Sequence, residues 1–165
     1  MGTEELVQRV EDGVEAAIKW IVITLLALIC VNVFVQVILR YVFLYSSRWT
    51  LEISRYLMIW AVLLAAGPAL KRGYMVGIDM AVEHLSATTR TWITCLLRAV
   101  MGVLAGTILV QGVKLFQSQL EMGQMSPALE IPIAYVSLAL PIGLSVFLFF
   151  LAAMVYHDLL RLRRG

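Results

Sequence analysis

Three charged residues carry the densest chemistry in this chain: Arg48, Glu52 and Arg55, spaced four and three positions apart. On an α-helix these spacings put side chains on one face, where two guanidiniums and a carboxylate can form an ion-pair triad. Aromatic and polar residues surround them, with Gln36-Val37-x-x-Arg40-Tyr41-x-Phe43 ahead, Trp49 within and Tyr56 just after. Charge beside a bilayer is costly unless it reaches headgroups, water or a partner. The cluster of Arg40, Tyr41, Arg48, Trp49, Glu52, Arg55 and Tyr56 is therefore either a membrane-interface anchor or a surface that docks another protein.

Other chemistry is sparse. His84 falls in a loop and His157 at the end of the last apolar run, so two histidines cannot face each other inside a bundle as haem ligands. Cys30 and Cys95 stand alone and are expected to pack. No H-x-x-E-H, G-x-S-x-G or P-loop pattern occurs, so hydrolysis and phosphoryl transfer have no candidate residues. The chain is expected to be no enzyme and to hold no cofactor or metal. None of its 11 acidic residues lies in the middle of an apolar run, where a self-sufficient proton-coupled carrier would keep a carboxylate. Asn32 and Gln36, four apart, suit hydrogen bonds between helices. The chain reads as built to hold something rather than to move it.

The elements that position these residues are apolar helices. Of 165 residues, 61% are hydrophobic and 15% charged, against about 25% charged in a soluble domain. Apolar runs at 20–39, 51–70, 93–116 and 131–156 each reach the roughly 20 residues that cross a ~30 Å hydrocarbon core. They lack the period of two that a strand requires, and four strands are too few for a membrane barrel. The expected fold is an all-α integral membrane protein, a single transmembrane domain over 1–165 with four transmembrane helices. The acidic N-terminus, with Glu4, Glu5, Glu11, Asp12 and Glu15, is unlike a cleaved signal. Residues 6–18 form either an amphipathic lead-in at the interface or a plain aqueous extension of the first span.

Connections carry the orientation signal. Arg9, Lys19, Lys71, Arg72, Arg90, Arg161, Arg163 and Arg164 lie on the side of the termini, with Arg40, Arg48, Arg55 and Lys114 opposite. Eight against four predicts cytoplasmic termini. Basic groups so spread give no footprint for nucleic acid. Thr50 is a candidate N-cap for the second helix. Gly67-Pro68 is expected to loosen or kink that helix, and the mixed central loop 71–90 to hold a short interfacial helix. Gly102-x-x-x-Gly106 permits close approach of a neighbour on the third span. Arg98 on the same span either snorkels outward or serves as a functional charge. Pro127 and Pro132 stiffen the approach to the fourth span, and Pro141-Ile142-Gly143 is expected to interrupt it.

Taken in order, these pieces resemble the small four-span membrane subunit of tripartite ATP-independent periplasmic (TRAP) transporters. The resemblance rests on Gln36-Val37-x-x-Arg40-Tyr41-x-Phe43, Trp49-x-x-Glu52, Arg55-Tyr56, Gly67, Arg72-Gly73 with Asp79, Pro127-Ala128-Leu129-x-Ile131-Pro132, and Pro141-Ile142-Gly143. Met75 departs from it, standing where that family often has a histidine. The resemblance implies a scaffold subunit in the bacterial inner membrane, partnered by a large multi-span permease, a periplasmic substrate-binding protein and membrane lipids. It further implies uptake of an organic acid driven by an ion gradient, usually sodium. Two alternatives follow from the residues: a free-standing homodimeric small transporter, favoured by Gly102 and Gly106, and a redox membrane anchor, opposed by the histidine placement.

Overall fold

The structure is a computed structural model that describes residues 3–45, 48–72 and 87–164. The helix expected within the central loop, with Gly73, Met75, Asp79 and His84, lies outside the described residues. Among the described residues five helices follow one another: α1 (Thr3–Tyr41), α2 (Arg48–Lys71), α3 (Ala87–Met122), α4 (Ala134–Ser137) and α5 (Ala139–Arg164). Among the described residues four segments are long and apolar enough to cross a membrane: Gln8–Tyr41, Arg48–Lys71, Ile93–Met122 and Ala134–Tyr156. The chain is an all-α, multi-pass membrane protein. Among the described residues the extended pairing is confined to one isolated bridge, between Met125 and Pro132.

The N-terminal stretch and the first span form one helix of 39 residues. Val14, Ile18, Val22 and Leu25 recur at helical spacing and put α1 against Trp60 and Leu64 of α2 and Val146 and Phe150 of α5. That apolar stripe crosses the start of the expected span at residue 20 without a break. Nothing in the local sequence stops the helix there, since neither Pro nor a polar turn intervenes.

α2 starts at Arg48, two residues before the expected cap. Thr50 is fully buried, and its carbonyl already accepts a 2.6 Å bond from Asn32 Nδ2 of α1. Its place is thus in the packing of the first turn and not at its cap. α2 continues through Pro68 to Lys71, and the Arg72 N–H closes a last turn on the Pro68 carbonyl at 3.1 Å.

The interruption expected at Pro141 falls three residues upstream, at Leu138. Proline lacks an N–H to donate to the carbonyl four residues back, and its ring crowds that carbonyl. α4 therefore stops at Ser137, and Pro141 sits in the first turn of α5, where a missing donor is tolerated.

The four long helices stand in a row, α1–α2–α5–α3. α2 packs on α1 and α5, and α5 packs on α2 and α3, with lighter contact between α1 and α5. The inner pair meets through small residues. A Cβ on Gly143 would come within 2.6 Å of Leu63 Cβ and 2.9 Å of the Leu63 carbonyl carbon. One on Gly67 would come within 2.8 Å of the Phe150 ring. The outer pair leaves large apolar side chains exposed, including Trp20, Val31 and Phe34 on α1 and Leu96, Val103 and Leu104 on α3. In a bilayer such faces meet lipid or another membrane protein.

Candidate functional site

The first connection and the loop between α3 and α4 lie together, and Glu52 joins them. Glu52 is on α2 one turn after Arg48, which turns its carboxylate toward residues 126–129. Oε1 accepts a 2.6 Å bond from the Tyr56 hydroxyl, and Oε2 accepts a 3.0 Å bond from the Ala128 N–H. The Ser126 hydroxyl and the Leu129 N–H act on the same carboxylate. An ionised acceptor makes such bonds stronger than neutral ones.

The loop that Glu52 holds is itself tightly built. Gly123 leaves α3 at a positive φ of 59°, a conformation natural to glycine. The Ser126 N–H bonds Ile131 O at 2.9 Å, Glu130 N–H bonds Ser126 O at 3.1 Å, and Ile133 N–H bonds Gln124 O at 3.0 Å. Ser126 is only 2% exposed, and its Oγ accepts the Leu129 N–H. Pro132 is half-buried in the bridge to Met125, while Pro127 is exposed at the tip. Below the loop, the Ser137 hydroxyl bonds Gln119, tying α4 to α3.

Among the described residues no ion pair joins Glu52 to Arg48 or Arg55, so the triad is not formed. Loop N–H groups and the Tyr56 hydroxyl take the carboxylate instead. Arg48 and Arg55 are exposed, as are Arg40 and Tyr41, whose guanidinium and ring lie 5.9 Å apart. Trp49 is also exposed, and Tyr56 is half-buried. Phe43, Leu44 and Tyr45 extend the same exposed turn, with Leu44 held at a positive φ of 52°. The arrangement is an outward surface of arginines and aromatics, backed by a carboxylate that fixes the neighbouring loop. Asn32 of α1 reinforces it, donating to Thr50 O and to Ser54 Oγ at 2.7 Å, as its position in an apolar run foretold.

A second polar cluster closes the other end of the α1–α2 pair. Lys71 Nζ lies 2.7 Å from Asp12, 3.1 Å from Glu15 and 3.8 Å from Glu11, which is buried. Arg72 Nη2 reaches Glu15 at 2.6 Å. Neither this clamp nor the loop-holding role of Glu52 is visible in local spacing, because both join residues more than 50 positions apart. The acidic run near the N-terminus and the Lys71-Arg72 pair were the available signal for the clamp.

The expected glycine contacts divide. A Cβ on Gly102 would meet Leu151 of α5 at an ordinary 3.4 Å, whereas one on Gly106 would meet nothing within 4 Å. Gly143 lies in the tight seam, with Pro141 in the turn above it. At Gly112, not singled out by any pattern, an added Cβ would come within 2.5 Å of Leu140 Cδ2 of α5. Arg98 is half-buried on α3, and Cys30 and Cys95 are exposed and unpaired with each other. Among the described residues no group of three or more His, Cys, Asp or Glu side chains is placed to hold a metal ion.

Known proteins share this sequence pattern. The profile of the family described as tripartite ATP-independent periplasmic transporters, DctQ component, matches residues 29–161. An isethionate TRAP transporter permease protein DctMQ of Oleidesulfovibrio alaskensis is 29% identical over 130 residues, covering 75% of this chain and 20% of that protein. A C4-dicarboxylate TRAP transporter small permease protein DctQ of Rhodobacter capsulatus is 29% identical over 101 residues, covering 61% and 44%. A Haemophilus influenzae protein provisionally named a TRAP transporter small permease protein is 29% identical over 119 residues, covering 72% and 73%. The chain thus spans a fifth of the first relative and less than half of the second.

Proposed function

Because the chain belongs to the DctQ component family of the tripartite ATP-independent periplasmic transporters, we propose that it is the scaffold subunit of an uptake system for an organic acid. In this reading a large multi-span permease carries the substrate, a periplasmic binding protein delivers it, and an ion gradient, sodium by preference, drives uptake. The chain itself performs no catalysis. Its site in the cell is the bacterial inner membrane, as one transmembrane domain with both termini in the cytoplasm.

The observation that carries this reading is the distribution of polar groups in the row of helices. Glu52 is used to hold a loop, and Glu11, Asp12 and Glu15 are used to hold Lys71 and Arg72. No described acidic residue is left near the middle of a span to bind a coupling ion. A row with two apolar outer edges gives a moving partner a broad, fixed platform, with its register against the membrane set by polar groups at both ends. Arg40, Tyr41, Arg48 and Trp49 form the surface for partner or headgroup contact, and Glu52 and Tyr56 hold it from behind. The carboxylate class of cargo agrees with the C4-dicarboxylate relative.

Reconstitution tests this directly. In liposomes with an imposed sodium gradient and loaded binding protein, uptake is expected only when both membrane chains are present. Robust uptake by this chain without the permease would refute the scaffold role and favour the free-standing homodimer. Orientation has its own test, in a variant lacking Cys30 and Cys95. Ser47→Cys should label from the periplasm and Thr88→Cys should not, and the reverse pattern would overturn the orientation.

A further inference from the structure

An apolar groove headed by an arginine runs along the outward face of α2. Its upper part, about 400 Å³, is lined by Arg55, Met58, Ile59, Val62 and Leu63. These positions repeat at helical spacing, so they form one continuous strip. Its lower part, about 280 Å³, shares Leu63 and passes over Gly143 and Phe147 of α5, between Ala66 of α2 and Leu104 of α3. It exists because α2 and α3 each pack on α5 and stand apart from one another. Glycine at 143 and alanine at 66 leave its floor and wall low.

We propose that this groove binds an anionic phospholipid, with the headgroup phosphate on Arg55 and an acyl chain lying along α2 toward Phe147. Charge is the first argument. No described acidic residue lines either part of the groove. The carboxylate nearest along the helix, Glu52, is directed to Tyr56 and Ala128, so among the described residues Arg55 forms no ion pair. An exposed, uncompensated guanidinium is suited to a phosphate, which it can grip through two parallel N–H bonds.

Depth is the second argument. Arg55 stands one turn inside Glu52, which is fixed to the loop between spans, and so lies at the level of headgroups. From Arg55 to Ala66 the helix rises about 17 Å at ~1.5 Å per residue. Half of a ~30 Å hydrocarbon core is about 15 Å. The apolar strip therefore has the length of one leaflet, with Arg55, the one cation among its described residues, at the wet end. A partner helix packed there would have to bury Arg55, whereas a lipid leaves the guanidinium at the interface. This inference does not rest on the transport role proposed above.

Native mass spectrometry of the full chain in detergent, with phosphatidylglycerol and phosphatidylcholine of identical acyl chains in competition, tests it. Phosphatidylglycerol should be retained about fivefold over phosphatidylcholine, the ordinary worth of one basic side chain at an anionic surface. Arg55→Gln should bring the ratio to parity, and Arg55→Lys should keep it. Val62→Trp, at an exposed position, should fill the strip and displace both lipids without changing the melting temperature. Equal retention by the native chain, or an unchanged ratio in Arg55→Gln, would overturn the proposal. So would a crosslink from Val62→Cys to a permease in native membranes, or a dimer of this chain that Val62→Trp dissociates.

Discussion

The seam between α2 and α5 and the glycine face of α3 use the same residue type to opposite ends. In the seam, Gly67 and Gly143 are filled spaces: any added carbon collides with Phe150, Val146 or the backbone at Leu63. On α3, the more recognisable Gly102-x-x-x-Gly106 pattern makes one ordinary contact and one none at all. A glycine repeat announces that a neighbour can approach, and only the fold decides whether one does. The seam holds the row together, while the face of α3 at Gly106 is open.

Substitutions separate the two. Gly143→Ala should have the largest effect, lowering stability by about 3 kcal/mol, because the clash is with helix backbone that cannot step aside. Thermal unfolding of the full chain in detergent would read it, and an unchanged melting temperature would break the comparison. Glu52→Ala should come next, through loss of its charge-assisted bonds to Tyr56 and the Ala128 N–H. Its effect should appear as faster amide exchange at Ala128 and Leu129 with the seam unaffected, so exchange rising equally in α5 would merge regions held to be separate. Gly67→Ala should cost less, about 1 kcal/mol, since its closest contacts are the Phe150 ring and Val146 methyl, and the nearest backbone atom, the Val146 carbonyl oxygen, stands farther off at 3.2 Å. Gly106→Ala should be smallest and of opposite sign, a gain of up to about 1 kcal/mol from helix propensity with no steric opposition. Loss of stability there would mean that a neighbour does occupy that face.

Hydropathy made the spans legible, because a run of some 20 apolar residues has few other solutions. Their ends were less so. α1 ran on through residues 3–19 since charge alone does not stop a helix, and Pro141 displaced its break to Leu138 because the damage falls on the carbonyl four residues earlier. Asn32 was readable as an interhelical donor from its apolar surroundings. Glu52 was readable as important but not as a loop anchor: helical spacing offers Arg48 and Arg55 as partners, while N–H groups at 128 and 129 come only with the packed chain. The same holds for Ser126, a small polar residue between Met125 and Pro127 whose near-complete burial has no local sign.

The two polar nodes on α2 have a mechanical consequence. Glu52 and Lys71 are 19 positions apart (71 − 52), or about 29 Å along a helix, close to the ~30 Å of bilayer hydrocarbon. Each is fastened to a different neighbour, Glu52 to the loop after α3 and Lys71 to the third and fourth turns of α1. A helix with free ends answers a thinner bilayer by tilting alone, at a fraction of a kcal/mol per Å. α2 cannot do so without dragging α1 at one end and the α3–α4 loop at the other. Bilayer thickness therefore reaches this protein as a collective lean of the whole row, and any domain seated against its edges is tipped with it.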